Sequence, residues 1–250
     1  GFTWGGAKAT LLAAGNVHSI TSVSEGNVVV GGTTGYVSYS TDSGSTWTSV
    51  PKQTEASGLL TQVVASGLAT DDYIYASTSK SAGTTVRWTI GQADTTAWKG
   101  IQGTSATGHG SYGLALVDGT IYNATTDGTD SKLIRNMSPT SDNPSTSHWS
   151  TLASAGETFN RAPSALRSSS GGKMWFIDST DPSIFSYTDT LTASGPTLVS
   201  PADGKLVTVN PVTGKAYDQA LTWDRLSKAT GYQINVALDE AFKEKFATIT

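Results

Sequence analysis

The sequence predicts an all-β protein: a β-propeller segment of four-stranded antiparallel blades, followed by part of a β-sandwich. Three observations carry this prediction. Tryptophans recur at Trp4, Trp47, Trp98 and Trp149, at intervals of 43, 51 and 51 residues, within the period range of propeller blades. The same succession of strand-like segments recurs between them. Nothing before residue 239 has the spacing of apolar residues that a helix needs.

Each repeat opens on an alternating segment: VHSITSV from Val17, LTQVVAS from Leu60, SYGLALV from Ser111 and PSALRSS from Pro163. A more hydrophobic segment follows: NVVVGGT from Asn27, YIYAST from Tyr73, TIYNAT from Thr120 and KMWFIDS from Lys173. A third comes next: YVSYS from Tyr36, TVRWT from Thr85, KLIRN from Lys132 and SIFSYT from Ser183. Short runs rich in Val, Ile, Tyr and Thr, bounded by Gly, Asp, Ser and Asn, read as strands. A turn then leads to the tryptophan and a short fourth strand. Blades two and three carry insertions, TIGQADTTAW and MSPTSDNPSTSHW, which are expected as exposed loops.

Composition narrows the function. Charged residues make up 14% of the 250 residues, against about 25% in ordinary globular chains, and Ser, Thr and 27 glycines fill the gap. This is the profile of an extracellular β-rich protein. The net charge of −4 and the scattered Lys and Arg supply no basic face of the kind that tracks phosphates, which argues against a nucleic-acid partner. With no cysteine there is no disulfide, thiol nucleophile or cysteine-held metal. No apolar run reaches the ~20 residues of a membrane-spanning helix.

Ser40 to Trp47 reads STDSGSTW, which fits the Asp-box pattern Ser-x-Asp-x-Gly-x-Thr-Trp at every defined position. The chain therefore resembles the sialidase-like propellers that carry Asp boxes, over residues 1–194. GFTW, at Gly1 to Trp4, is similar to the end of a second box. On this resemblance the chain begins inside a motif, holds about three complete blades and the end of another, and is a piece of a longer protein. The resemblance implies structural roles for Ser40, Asp42, Gly44, Thr46 and Trp47. Asp42 would accept hydrogen bonds from turn amides, Gly44 would take a positive φ, and Trp47, like Trp4, Trp98 and Trp149, would pack between blades.

From Gly195 the character changes. Gly195, Pro196, Pro201 and Gly204 mark a boundary, and Tyr232, Ile234, Val236 and Leu238 alternate as in a half-buried strand. PTLVSPADG, then LTW, then ATGY resembles the fibronectin type III-like, Ig-like modules of prokaryotic surface proteins. Residues 195–250 would be the N-terminal part of such a module, which runs to about 100 residues when complete, with Trp223 in its core and FATIT as a strand.

The resemblance also raises hydrolysis. Sialidases use three arginines, a Tyr–Glu pair and an acid/base Asp. Here no Arg-Ile-Pro motif is present, Arg87 and Arg135 lie in third strands, and Arg167 and Arg161 are the arginines placed to reach a central channel. The expected ligand face gathers His109, Asp127, Asp130, Glu157, Arg161 and Asp181. Asp127 and Asp130 could pair around a Ca²⁺ ion, although a solvated turn is the commoner reading of DGTD. No other cofactor is expected. Asn123-Ala-Thr and Asn136-Met-Ser are formal glycosylation sequons.

The expected function is that of a non-catalytic structural or binding component of a prokaryotic cell surface. A surface layer, sheath, filament or adhesin would fit, with neighbouring copies, other surface proteins or glycans as partners. The alternative is a secreted sialidase-like glycoside hydrolase with most catalytic residues outside this segment. An assembly factor of the photosynthetic type would share the propeller but leave the appended sandwich unexplained.

Overall fold

β-branched and aromatic residues dominate the segments that the structure, a computed structural model, places in strands. The structure describes residues 6–54, 59–80, 83–101, 110–126, 131–142, 144, 148–152, 163–169, 173–178, 183–189, 198–201, 210–213, 220–223, 232, 234–237 and 245–249. Trp4 lies outside them.

Four antiparallel sheets follow one another along the chain, each a simple meander. The first holds β1 (Val17–Ser24), β2 (Asn27–Gly32), β3 (Val37–Ser40) and β4 (Thr48–Ser49). The second holds β5 (Thr61–Ala65), β6 (Tyr73–Thr78), β7 (Val86–Thr89) and β8 (Lys99–Gly100). The third holds β9 (Gly110–Val117), β10 (Thr120–Thr126), β11 (Ser131–Asn136) and β12 (Trp149–Thr151). The fourth has three strands among the described residues, β13 (Pro163–Ser168), β14 (Lys173–Asp178) and β15 (Ser183–Thr188). Tight turns join the strands. Between β9 and β10, Asp118 and Gly119 take φ of 46° and 76°, the two positive values of a primed hairpin turn.

The first strands of successive sheets lie side by side, β1 on β5, β5 on β9 and β9 on β13. The sheets therefore radiate from a common centre, the arrangement of β-propeller blades. At that centre the backbones approach closely. A Cβ built on Gly113 would come within 2.6 Å of the Cβ of Leu166 on the next blade, so glycine is what lets β9 meet β13.

Each sheet interface buries an apolar cluster. Val29, Val37 and Val50 meet Ile74, Ala76, Val86 and Trp88 between sheets one and two. Tyr75 and Ile101 meet Leu114 and Ile121 between two and three. Tyr122, Ala124 and Leu133 meet Leu166, Met174 and Phe176 between three and four. The repeat is structural as well as sequential. Val50, Ile101 and Leu152, each three residues past a repeat tryptophan, are buried, and each donates its N–H at 2.9 Å to a carbonyl of its sheet's third-strand segment, at Val37, Thr85 and Leu133.

A chain of polar groups crosses one of these interfaces. Between sheets two and three the Ser77 and Ser111 hydroxyls lie 2.7 Å apart, Ser111 Oγ donates to Asn123 Oδ1 at 2.6 Å, and Asn123 Nδ2 donates to Thr85 Oγ1 at 3.1 Å. Both formal sequons fall on enclosed asparagines. Asn123 and Asn136 are 2% and 0% exposed, so neither can carry a glycan in the folded protein.

The chain divides into two compact units, Gly1–Thr188 and Asp189–Thr250. The second holds two strand pairs, β16 (Leu198–Ser200) with β17 (Thr222–Trp223) and β18 (Ile234–Ala237) with β19 (Lys245–Ile249), both antiparallel. Trp223 is half-buried and meets Tyr232 edge-on, with ring centroids 5.4 Å apart.

Replacing a wholly buried side chain between blades leaves a cavity that neighbouring sheets cannot close. Ile74→Ala is expected to cost about 2–5 kcal/mol in urea unfolding. An unchanged midpoint would remove Ile74 from the inter-sheet core.

Candidate functional site

The four innermost strands enclose an axial cavity of about 320 Å³, walled by residues of β1, β5, β9 and β13. Small and branched side chains such as Val23, Val64 and Ala115 form much of the wall, with hydroxyls from Thr21 and Ser168 and one cation, Arg167. Each innermost strand contributes consecutive residues to the lining, from Ile20–Val23 on β1 to Leu166–Ser168 on β13. On β13 the register shifts between Ser164 and Arg167, and Ala165 has a left-handed φ of 56°. A bulge of this kind re-aims the side chains beside it. Leu166 is buried while Arg167 is exposed, its Nη1 donating to the Leu166 carbonyl at 2.9 Å.

A single guanidinium beside hydroxyls can hold an anion or a carbonyl oxygen. The lining holds neither a carboxylate nor an imidazole among the described residues, and these include no group of three or more His, Asp or Glu placed to hold a metal. Arg167 stands where its place in an innermost strand puts it. Arg161 and the rest of the expected ligand face, His109, Asp127, Asp130, Glu157 and Asp181, lie outside the described residues. His18, on β1, meets Gln62 Nε2 at 3.0 Å, and partial burial holds its imidazole below the ordinary value.

Arg87 and Arg135 stand away from the cavity. Arg87, on β7, is buried, lies over the Tyr73 ring at 4.7 Å and donates Nη1 to the Pro139 carbonyl at 2.9 Å. Its Nη2 sits 3.6 Å from Asp142, which Lys99 also approaches. Part of the third blade's insertion is thus clamped onto the second blade. Burial pushes the phenol of Tyr75, the residue opposite Arg87 in the sheet, well above the ordinary tyrosine range. Arg135 Nε donates to Ser150 Oγ at 3.1 Å.

The Ser40–Trp47 turn is a closed hydrogen-bonded unit. Asp42 Oδ1 accepts from Thr46 N at 2.7 Å and from Ser40 Oγ at 2.9 Å, and Oδ2 accepts from Thr46 Oγ1 at 2.6 Å. Ser40 Oγ accepts from Gly44 N at 2.9 Å. Gly44 has φ of 77°, a conformation that glycine adopts without strain. Bonds from Thr46, first its hydroxyl and then its amide, hold the exposed Asp42 carboxyl down at about 2.

The tryptophans do not share one environment. Trp98 Nε1 donates to the Lys52 carbonyl at 2.7 Å, and Trp149 Nε1 to the Ile101 carbonyl at 3.0 Å. Each thereby ties its own blade to the one before. Trp47 behaves differently from the expectation. It is half-buried, joins none of the three apolar clusters among the described residues, and donates Nε1 to the Gly44 carbonyl of its own turn at 3.2 Å.

No family model matches the chain, and no curated protein matches it. Solved structures are similar to the chain, two of them YCF48 proteins. One, described as YCF48 bound to D1 peptide, is 17% identical with a TM-score of 0.38, over 65% of this chain and 47% of that one. The other, YCF48 from Cyanidioschyzon merolae, is 12% identical with a TM-score of 0.36, over 74% of this chain and 62% of that one. The chain spans about half to three fifths of the structures it matches.

Two outcomes follow from the geometry. Asp42 has a folded-state value below its unfolded one, so its contribution is fully present above about pH 4 and is lost as pH falls through about 2. Asp42→Asn should lower the melting temperature near pH 7, with the gap to wild type closing between those limits. A constant gap across the range would separate the turn from the carboxylate's charge. Arg167→Ala should change stability by less than about 0.5 kcal/mol in denaturant titration, since the side chain is exposed, and a large loss would make it structural.

Proposed function

We propose that the chain is a non-catalytic structural or binding component of an extracellular prokaryotic assembly. On this reading an Asp-box propeller is joined to a fibronectin type III-like module, and its task is to make protein contacts. The observation that carries it is the outward face of the fourth sheet, where Trp175, Ile177 and Ile184 are 40%, 46% and 72% exposed. Large apolar side chains exposed together on one sheet mark a contact surface, and here Lys173 lies among them with its ammonium 4.4 Å from the centre of the Trp175 ring. The low charge content supports the same reading, because few fixed charges need be desolvated when such surfaces meet.

The test has two arms. In native cells the full-length protein should fractionate with an ordered surface array or filament. The 250-residue chain should give no turnover of aryl glycosides or sialosides above buffer. Turnover that disappears in Arg167→Ala, from a freely diffusing protein, would replace this reading with a hydrolase.

A further inference from the structure

We infer that the third blade's insertion is a displaceable strap over a carboxylate-binding site on the second blade, with the chain's own Asp142 holding the place of an outside carboxylate.

The site itself belongs to the second blade. Arg87 on β7 and Lys99 on β8 lie opposite one another in the sheet, and the Arg87 guanidinium lies over the Tyr73 ring of β6. The Arg87 side chain is 5% exposed, and its Nε is enclosed without a hydrogen-bond partner. A cation kept dry with a donor unmet disfavours the closed arrangement. Lifting the strap returns water to that donor.

The strap holds the site through polar contacts. Pro139 gives its carbonyl to Arg87 Nη1 at 2.9 Å, and Asp142 gives its carbonyl to Lys99 Nζ at 2.8 Å. The Asp142 carboxylate completes the set, with Oδ1 3.6 Å from Arg87 Nη2 and 3.5 Å from Lys99 Nζ. A carboxylate set between a guanidinium and an ammonium is the pairing by which such a ligand is recognised. Both distances are long for charge-assisted bonds, and the Asp142 side chain is 92% exposed, so the pairing is weak and screened by salt. No residue of 137–142 joins the three apolar clusters among the described residues, and Met137 is exposed.

The blades stay joined without the strap. Tyr75, Ile101, Leu114 and Ile121 form the apolar contact between the second and third, and the Ser77, Ser111, Asn123 and Thr85 chain crosses the same interface. At the strap's roots Ser138 N donates to Asn136 Oδ1 at 2.7 Å and Trp149 Nε1 donates to the Ile101 carbonyl. Opening between these roots is a local event, separate from unfolding of the blades.

Hydrogen exchange read by mass spectrometry on the 250-residue chain measures that opening, each rate taken relative to the intrinsic rate of its amide. Exchange over residues 137–142 should outpace that over β10 and rise about threefold or more from low salt to about 1 M sodium chloride. Sodium formate at equal ionic strength should raise it about twofold further, because a free carboxylate competes with Asp142 for the two cations. Asp142→Ala should give the fast rate already at low salt, with the circular dichroism spectrum kept. Lys99→Ala should remove the excess effect of formate over chloride. Exchange over 137–142 that is insensitive to salt, or that rises only together with β10, would overturn the strap. Formate acting no differently from chloride on the wild type would overturn the carboxylate site.

Discussion

An apolar sheet face gains stability by meeting another, and this constraint organises the first unit. A meander of short strands closes its own hydrogen bonds but buries nothing by itself. Stacking one meander on the next does so, at roughly 25 cal/mol for each Å² of apolar surface removed from water. The three clusters between successive sheets are that stacking, and the axial cavity is what remains where four first strands converge without touching across the centre. The cavity is therefore a consequence of the core.

Apolar burial alone would let one sheet slide over another. Hydroxyl groups fix the register. Ser19 Oγ donates to the Thr61 carbonyl at 2.6 Å and Thr21 Oγ1 to the Val63 carbonyl at 2.7 Å, so β1 reads the backbone of β5 at alternate residues. The Ser77, Ser111, Asn123 and Thr85 network does the same between the next pair of blades. Each group is worth little alone, yet leaving one unpaired in a dry interface costs about 1–3 kcal/mol. The abundance of Ser and Thr, which at first reading marks only a β-rich exterior, has this second use inside.

The strand order and the repeat were legible because period-two alternation and turn residues are local signals. The tryptophan spacing was legible for the same reason, but the surroundings of each ring were not. Trp98 and Trp149 reach back to carbonyls 46 and 48 residues earlier, whereas Trp47 closes on Gly44. The same residue at the same register position thus meets different neighbours, and no local pattern encodes which. Arg167 could be placed at the channel because strand order sets which strand is innermost. The clamp on Arg87 could not be foreseen, since it depends on where the insertion carrying Pro139 and Asp142 folds back. Asn123 and Asn136 show why a three-residue motif is weak evidence: it carries no information on burial, and both side chains are enclosed.

The two features most open to functional reading differ in how the fold pins them. Both carboxylate oxygens of Asp42 are engaged within Ser40–Trp47, on Thr46 and Ser40, and Ser43 N ties the turn to the Gly26 carbonyl of the neighbouring hairpin. Arg167 is the opposite case. Leu166 beside it is buried, while Arg167 is exposed at the cavity and its guanidinium makes its one described bond to the neighbouring carbonyl. A group already saturated by its own turn stabilises the fold. A charged group exposed at the centre can change without disturbing the blades, because no buried contact depends on it.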